Sequence, residues 1–108
     1  MKTKELHGAA LDWAVAKCLG LVSDETPRYA RNTEYSFKPS TSWQDGGPII
    51  EREKIECDTY RYGWRAARYV STAPTYGYGH TILIAAMRSY VASKMGEEIN
   101  IPSEVSSI

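Results

Sequence analysis

The two ends of this chain repeat with one period and its middle with another. In GAALDWAVAKCL (residues 8–19) the apolar positions Leu11, Ala14, Val15 and Cys18 recur at i, i+3, i+4 and i+7. That spacing puts them on one stripe of a helix. Gly20 supplies a stop, since glycine enters the left-handed conformation that ends helices at no steric cost. In ILIAAMRSYVASKM (82–95), Leu83, Met87, Tyr90 and Val91, with Ile84 and Met95 at the margin, form a second stripe. His80 and Thr81 stand before it and Gly96 ends it. Between the two, residues 55–59 and 60–70 are rich in β-branched and aromatic residues and suit extended strands. They form a hairpin that turns somewhere between Asp58 and Gly63. Helices at both ends with strands between them predict an α+β domain, a small antiparallel sheet with helices packed on it. Leu11, Val15, Leu83, Met87 and Val91 are the expected core.

The stretch SWQDGGPIIERE (42–53) resists this scheme, because two glycines and a proline precede a run that otherwise suits a helix. Residues 40–42 are Ser, Thr and Ser, side chains that cap helix starts, so a helix is expected from about 43 to 54. Gly46 and Gly47 then have two uses. They can let a phosphate approach the backbone at the helix start, or let that start pack closely on a neighbour. Close packing is the weightier reading, and it predicts that Gly47→Ala lowers stability. Residues 22–33 read as a loop, 34–38 as a short strand and 71–79 as a second loop, flexible and rich in tyrosine and glycine. One domain is expected over 1–96, with 97–108 as an extended C-terminal arm.

The 13 basic and 13 acidic residues cancel. A surface built for duplex nucleic acid carries a basic excess, so no duplex partner is expected, and any anion site must be local. Near-zero net charge gives little protection against association, which favours burying some surface in a homo-oligomer. The opening residues are polar and no run approaches the ~20 apolar residues of a membrane span. The expectation is therefore a cytoplasmic protein with no membrane partner and with Cys18 and Cys57 reduced. Those two thiols and His7 and His80 show no metal-ligand spacing, so neither metal nor cofactor is expected.

Two groups of residues can carry binding chemistry. The first is the pair of helix starts, with Ser42, Trp43, Gly46 and Gly47 at one and His80 and Thr81 at the other; N-terminal N–H groups of a helix attract anions. The second is YRYGWRAARY (60–69), which holds three arginines and no acid, in a region (60–78) containing half of the chain's aromatic residues. On a continuous strand Tyr60, Tyr62 and Trp64 share one face, and Arg61 and Arg65 the other. The tyrosine–glycine stretch that holds Tyr78 has two equal readings, a loop that closes over a ligand or one ordered only by packing or by a partner subunit. Aromatic rings with arginine hold bases and phosphates, and solvated arginines are an equal reading of the cluster, while Trp64 by itself is read as core. No nucleophile elbow is present, Glu51 and Glu53 read as a solvated surface, and no catalytic set stands out.

Three segments, GAALDWAVAKCLGL (8–21), STSWQDGGPIIEREKI (40–55) and GHTILIAAMRSYVASKMGEEINIP (79–102), carry a family likeness. Together they resemble the NinX-like proteins of lambdoid phages, and more broadly are similar to phage domains described as α-β-α sandwiches. The resemblance spans nearly the whole chain. It implies a phage or prophage source and a location in the host cytoplasm, and it carries no activity with it. The expectation is a phage accessory protein that binds rather than catalyses. Its ligand is either a nucleotide-derived host defence signal, held between the arginine–tyrosine cluster and the helix starts, or a host or phage protein. The first requires a concave pocket lined by Arg61, Arg65, His80 and Tyr78. The second requires an exposed apolar or aromatic patch with no pocket.

Overall fold

A computed structural model describes residues 1–23, 37–102 and 105. After a short 3-10 turn, Thr3–Glu5, the elements run α1 (Gly8–Cys18), α2 (Trp43–Glu53), β1 (Glu56–Tyr60), β2 (Gly63–Val70), β3 (Ala73–Gly79) and α3 (Ile82–Met95). The three strands form one antiparallel meander in the order β1-β2-β3. The α+β architecture and all three helices stand as the periodicity predicts. Of the 34–38 strand candidate, 34–36 lie outside the described residues, as do 24–33 of the loop; Phe37 and Lys38 belong to no strand.

The 71–79 segment is a strand rather than a loop. β3 pairs with β2 from Trp64 opposite Gly79 to Val70 opposite Ala73. Its sequence APTYGYG obeys a period of two written in side-chain size: Tyr76 and Tyr78 point to one face, Gly77 and Gly79 to the other. α3 lies on the glycine face. A Cβ built on Gly77 would fall 2.2 Å from the Ala85 carbonyl oxygen and 2.3 Å from the Ser89 nitrogen. Glycine there brings helix and strand backbones closer than any side chain permits. Thr81 caps α3, its Oγ1 accepting from the Ile84 N–H at 3.1 Å.

α1 and α2 pack on α3, so the described helices gather on one side of the sheet. The core lies between them and contains all five expected residues, Leu11, Val15, Leu83, Met87 and Val91, together with Tyr90, Ala66, Ala85 and Ile49. Two acids fix the entry to α2. Asp12 on α1 accepts from the Ser40 N–H and Asp45 accepts from the Lys38 N–H, both at 2.8 Å. The ends of the chain are also tied. Lys2 bridges Glu98, Met1 and Ile99 exchange backbone bonds at 3.0 Å, and Ile99 is buried.

Candidate functional site

The hairpin between β1 and β2 turns on Arg61 and Tyr62, with Tyr60 paired to Gly63. Arg61 has φ 55°. Two turn residues reset the alternation, which corrects the face assignment made on a continuous strand. Partners opposite one another share a face, so Tyr60, Asp58, Arg65 and Tyr78 stand together, and Trp64 lies on the other face with Thr59 and Gly79. Tyr62 is at the tip, fully exposed.

No described element covers the face that carries Tyr60, Arg65 and Tyr78. The Tyr60 and Tyr78 rings lie 5.0 Å apart, and Tyr76 is 6.3 Å from Tyr78. The Arg65 guanidinium sits 5.3 Å from the Tyr60 ring centre and 5.5 Å from that of Tyr76; Arg61 also approaches Tyr60, at 5.3 Å. Tyr69, Tyr76 and Tyr78 are each more than 40% exposed. Arg65 is not free: it donates through Nε and Nη2 to the two oxygens of Asp58, at 3.2 and 2.7 Å. Beside it a shallow groove of about 240 Å³ is lined by Glu56, Cys57, Asp58, Arg65, Ala67, Tyr69 and Tyr76. Ala67 makes its floor, and its acids come from β1.

The residues at the start of α2 form a separate group on the helix side of the sheet, where α2 packs on α3. Gly46 explains why glycine occurs in α2, because a Cβ there would meet the Pro39 carbonyl oxygen at 2.4 Å and Leu83 Cδ2 at 2.7 Å. The first turns of α2 and α3 therefore do come together, by packing. Gly47 has no such neighbour, only Trp43 Cε3 at 3.6 Å, which corrects the expectation that both glycines are needed for close approach. Pro48 is the sixth residue of α2 and deprives the exposed Gln44 carbonyl of its partner. Ser42 is the cap residue of α2 but makes no side-chain cap bond; the first turn holds the Asp45 carboxylate, a negative charge where an anion would sit. Trp43 and His80 are exposed, and Thr81 Oγ1 is occupied by its own helix. The eleven candidate residues thus divide between two faces and do not line one pocket.

Sequence reasoning missed the partners of the third arginine. Arg68, on the helix face, donates to Glu53 Oε1 through Nη2 and Nε at 2.7 and 3.1 Å and to Ser93 Oγ at 3.0 Å, tying β2 to α2 and α3. Glu53 is therefore no solvated surface acid. Hydrogen bonds from Arg52 and Arg68 hold its carboxyl below the usual carboxylate range. Burial raises Asp12 above the ordinary aspartate value, and it pushes the Cys18 thiol up to about 11 and Cys57 upward as well. A raised thiol pKa means little thiolate at neutral pH, so neither cysteine is poised as a nucleophile.

Among the described residues no three His, Cys, Asp or Glu side chains cluster to hold a metal ion, and no helix is long and apolar enough to cross a membrane. The model of the family described as Bacteriophage P22, NinX matches residues 2–94. No curated protein matches the chain.

Proposed function

We propose that this chain, which belongs to the family of bacteriophage P22 NinX, acts as a phage accessory protein by binding rather than by catalysis. The bound molecule is a host or phage polypeptide, and the uncovered face of the sheet receives it. One observation carries the reading. The strand that buries its glycines under α3 turns its tyrosines outward, beside an arginine held between rings. Tyrosine and arginine are enriched at protein interfaces and among the residues that anchor them, tyrosine because it presents a large area and a polar tip at small entropic cost. A sheet needs only one covered face to fold, so the second aromatic face is available for recognition.

The alternative, a nucleotide-derived defence signal, draws support from Arg65 lying between Tyr60 and Tyr76. Three features count against it. The guanidinium already grips Asp58, Glu56 and Asp58 bring negative charge to the groove, and His80 is not among the residues that line it. A phosphate meets repulsion there before it meets a free cation.

The test compares the native chain with a Tyr76→Ala/Tyr78→Ala double variant in pull-downs from infected cells, alongside calorimetry against cyclic and linear nucleotides. A specific protein that the native chain retains and the variant loses, at unchanged melting temperature, supports the reading. Nucleotide binding that Arg65→Lys weakens, with no protein retained, overturns it.

A further inference from the structure

We propose that the partner enters as an extended basic segment that adds to the edge of β1 with which no described residue pairs, with its lysine or arginine side chains lying over the groove beside Glu56. This deepens the polypeptide-binding reading and rests on it.

The two edges of the sheet are unlike. In a hairpin with a two-residue turn the closing pair is hydrogen-bonded, so the pairs Tyr60–Gly63, Asp58–Arg65 and Glu56–Ala67 use their backbone groups across the β1–β2 ladder. Cys57 and Thr59 therefore direct their N–H and C=O groups away from the sheet, and no described residue pairs with them. The same count on β3 leaves Pro74, Tyr76 and Tyr78 facing outward. That edge is blunted. Pro74 has no N–H to give, and the Tyr78 carbonyl accepts from Arg88 Nη1 at 2.7 Å. An incoming strand finds a usable ladder on β1.

Charge selects the incomer. A strand added to β1 sets alternate side chains on the uncovered face next to Glu56 and Asp58. Asp58 is neutralised by Arg65, but Glu56 has no ion pair or hydrogen bond from its side chain among the described residues, and it lies opposite Ala67, whose methyl leaves the groove open. A cation there gains the Glu56 carboxylate and the faces of Tyr69 and Tyr76, which line the same groove. A second copy of this chain is a poor occupant. Antiparallel pairing of two β1 strands sets Asp58 opposite Asp58 in one register and opposite Glu56 in the next, and like charges directly opposed are destabilising.

The probe is a strand-length synthetic peptide alternating lysine with valine or threonine, compared with its glutamate counterpart and titrated into the isotope-labelled chain. The lysine peptide is expected to shift the amide signals of Cys57 and Thr59 and to bind more weakly as salt rises. Glu56→Lys should weaken it roughly tenfold or more. Thr59→Pro, which removes one outward N–H and keeps the inner ladder, should do the same. If Thr59→Pro disturbs the hairpin, Glu56→Lys decides the matter. Equal binding of the two peptides, shifts confined to β3, or no shift at millimolar lysine peptide overturns the proposal. The face reading is separable: capture that needs Tyr76 and Tyr78 but ignores Thr59→Pro and Glu56→Lys sinks the edge proposal alone, and capture indifferent to all four sinks both.

Discussion

The two faces of the sheet use the same residue types for opposite ends. On the helix face an arginine, Arg68, is only 16% exposed and closes on Glu53 and Ser93. On the uncovered face Arg65 closes on Asp58, but the partners are 36% and 53% exposed. The first pair joins three elements; the second joins two neighbouring strands at the surface, where water and salt weaken it. Glycine and tyrosine alternate along β3 with the same split, the glycines under α3 and the tyrosines toward solvent. A face that positions backbone against backbone leaves no freedom for recognition. On the other face no described element packs, so substitutions there are expected to cost little stability.

The largest effect that can break this comparison is at Gly77. Its Cβ would lie 2.2 Å from a helix carbonyl oxygen and 2.3 Å from a helix nitrogen, so neither neighbour can swing aside as a side chain would. Gly77→Ala is expected to cost about 3 kcal/mol or more in denaturant unfolding. Tyr78→Ala, one residue along, should cost less than ~1 kcal/mol. Similar losses at the two positions would show that the faces are not divided in this way.

Next in size is Arg68→Met, which leaves the half-buried Glu53 with Arg52 alone and cuts the tie from β2 to α2 and α3; a loss of about 1–3 kcal/mol is expected by thermal or chemical unfolding. Arg65→Met should leave the unfolding midpoint unchanged. Acid sharpens the contrast. The folded pKa of Glu53 is depressed by Arg52 and Arg68, so its contribution is present above the unfolded value of roughly 4.3 and is lost as pH falls through the lower folded value. Arg68→Met should therefore reduce the acid dependence of stability in that range without abolishing it, because the Arg52 hydrogen bond, the larger cause of the depression, remains.

How far this division could be read in the sequence depended on the kind of signal. Helices α1 and α3 were legible because Leu11, Val15, Leu83, Met87 and Val91 mark a regular stripe. β3 was not, because Pro74, Gly77 and Gly79 are poor strand formers and its period is carried by side-chain size rather than by hydrophobicity. The faces of Tyr60 and Trp64 were misjudged because the two-residue turn at Arg61 and Tyr62 shifts the alternation. The partners of Arg68 stand on other elements, Glu53 fifteen residues away, so no local pattern announces them. The tyrosines and Arg65 were found as a cluster, but only the register with β1 reveals that Asp58 occupies the arginine.

The smallest effect repeats the comparison within one helix. Gly46 and Gly47 look interchangeable as letters, yet only Gly46 faces a neighbour, with the Pro39 carbonyl oxygen and Leu83 in the way of a side chain. Gly46→Ala is expected to destabilise by about 1–3 kcal/mol, since the clash with Pro39 is with backbone. At Gly47 the nearest atom to an added methyl, Trp43 Cε3 at 3.6 Å, is at ordinary contact distance, and no left-handed backbone is required there. Two smaller effects then oppose each other: alanine suits a helix interior better than glycine, while its Cβ crowds the Cδ of the following Pro48 in the helical conformation. Gly47→Ala should change stability by less than about 1 kcal/mol. A melting temperature that falls for Gly46→Ala and hardly moves for Gly47→Ala sets the boundary between packed and open surface between two adjacent residues. A fall of equal size for both would mean that α2 is seated more deeply against α3 than the contacts of Gly46 alone require.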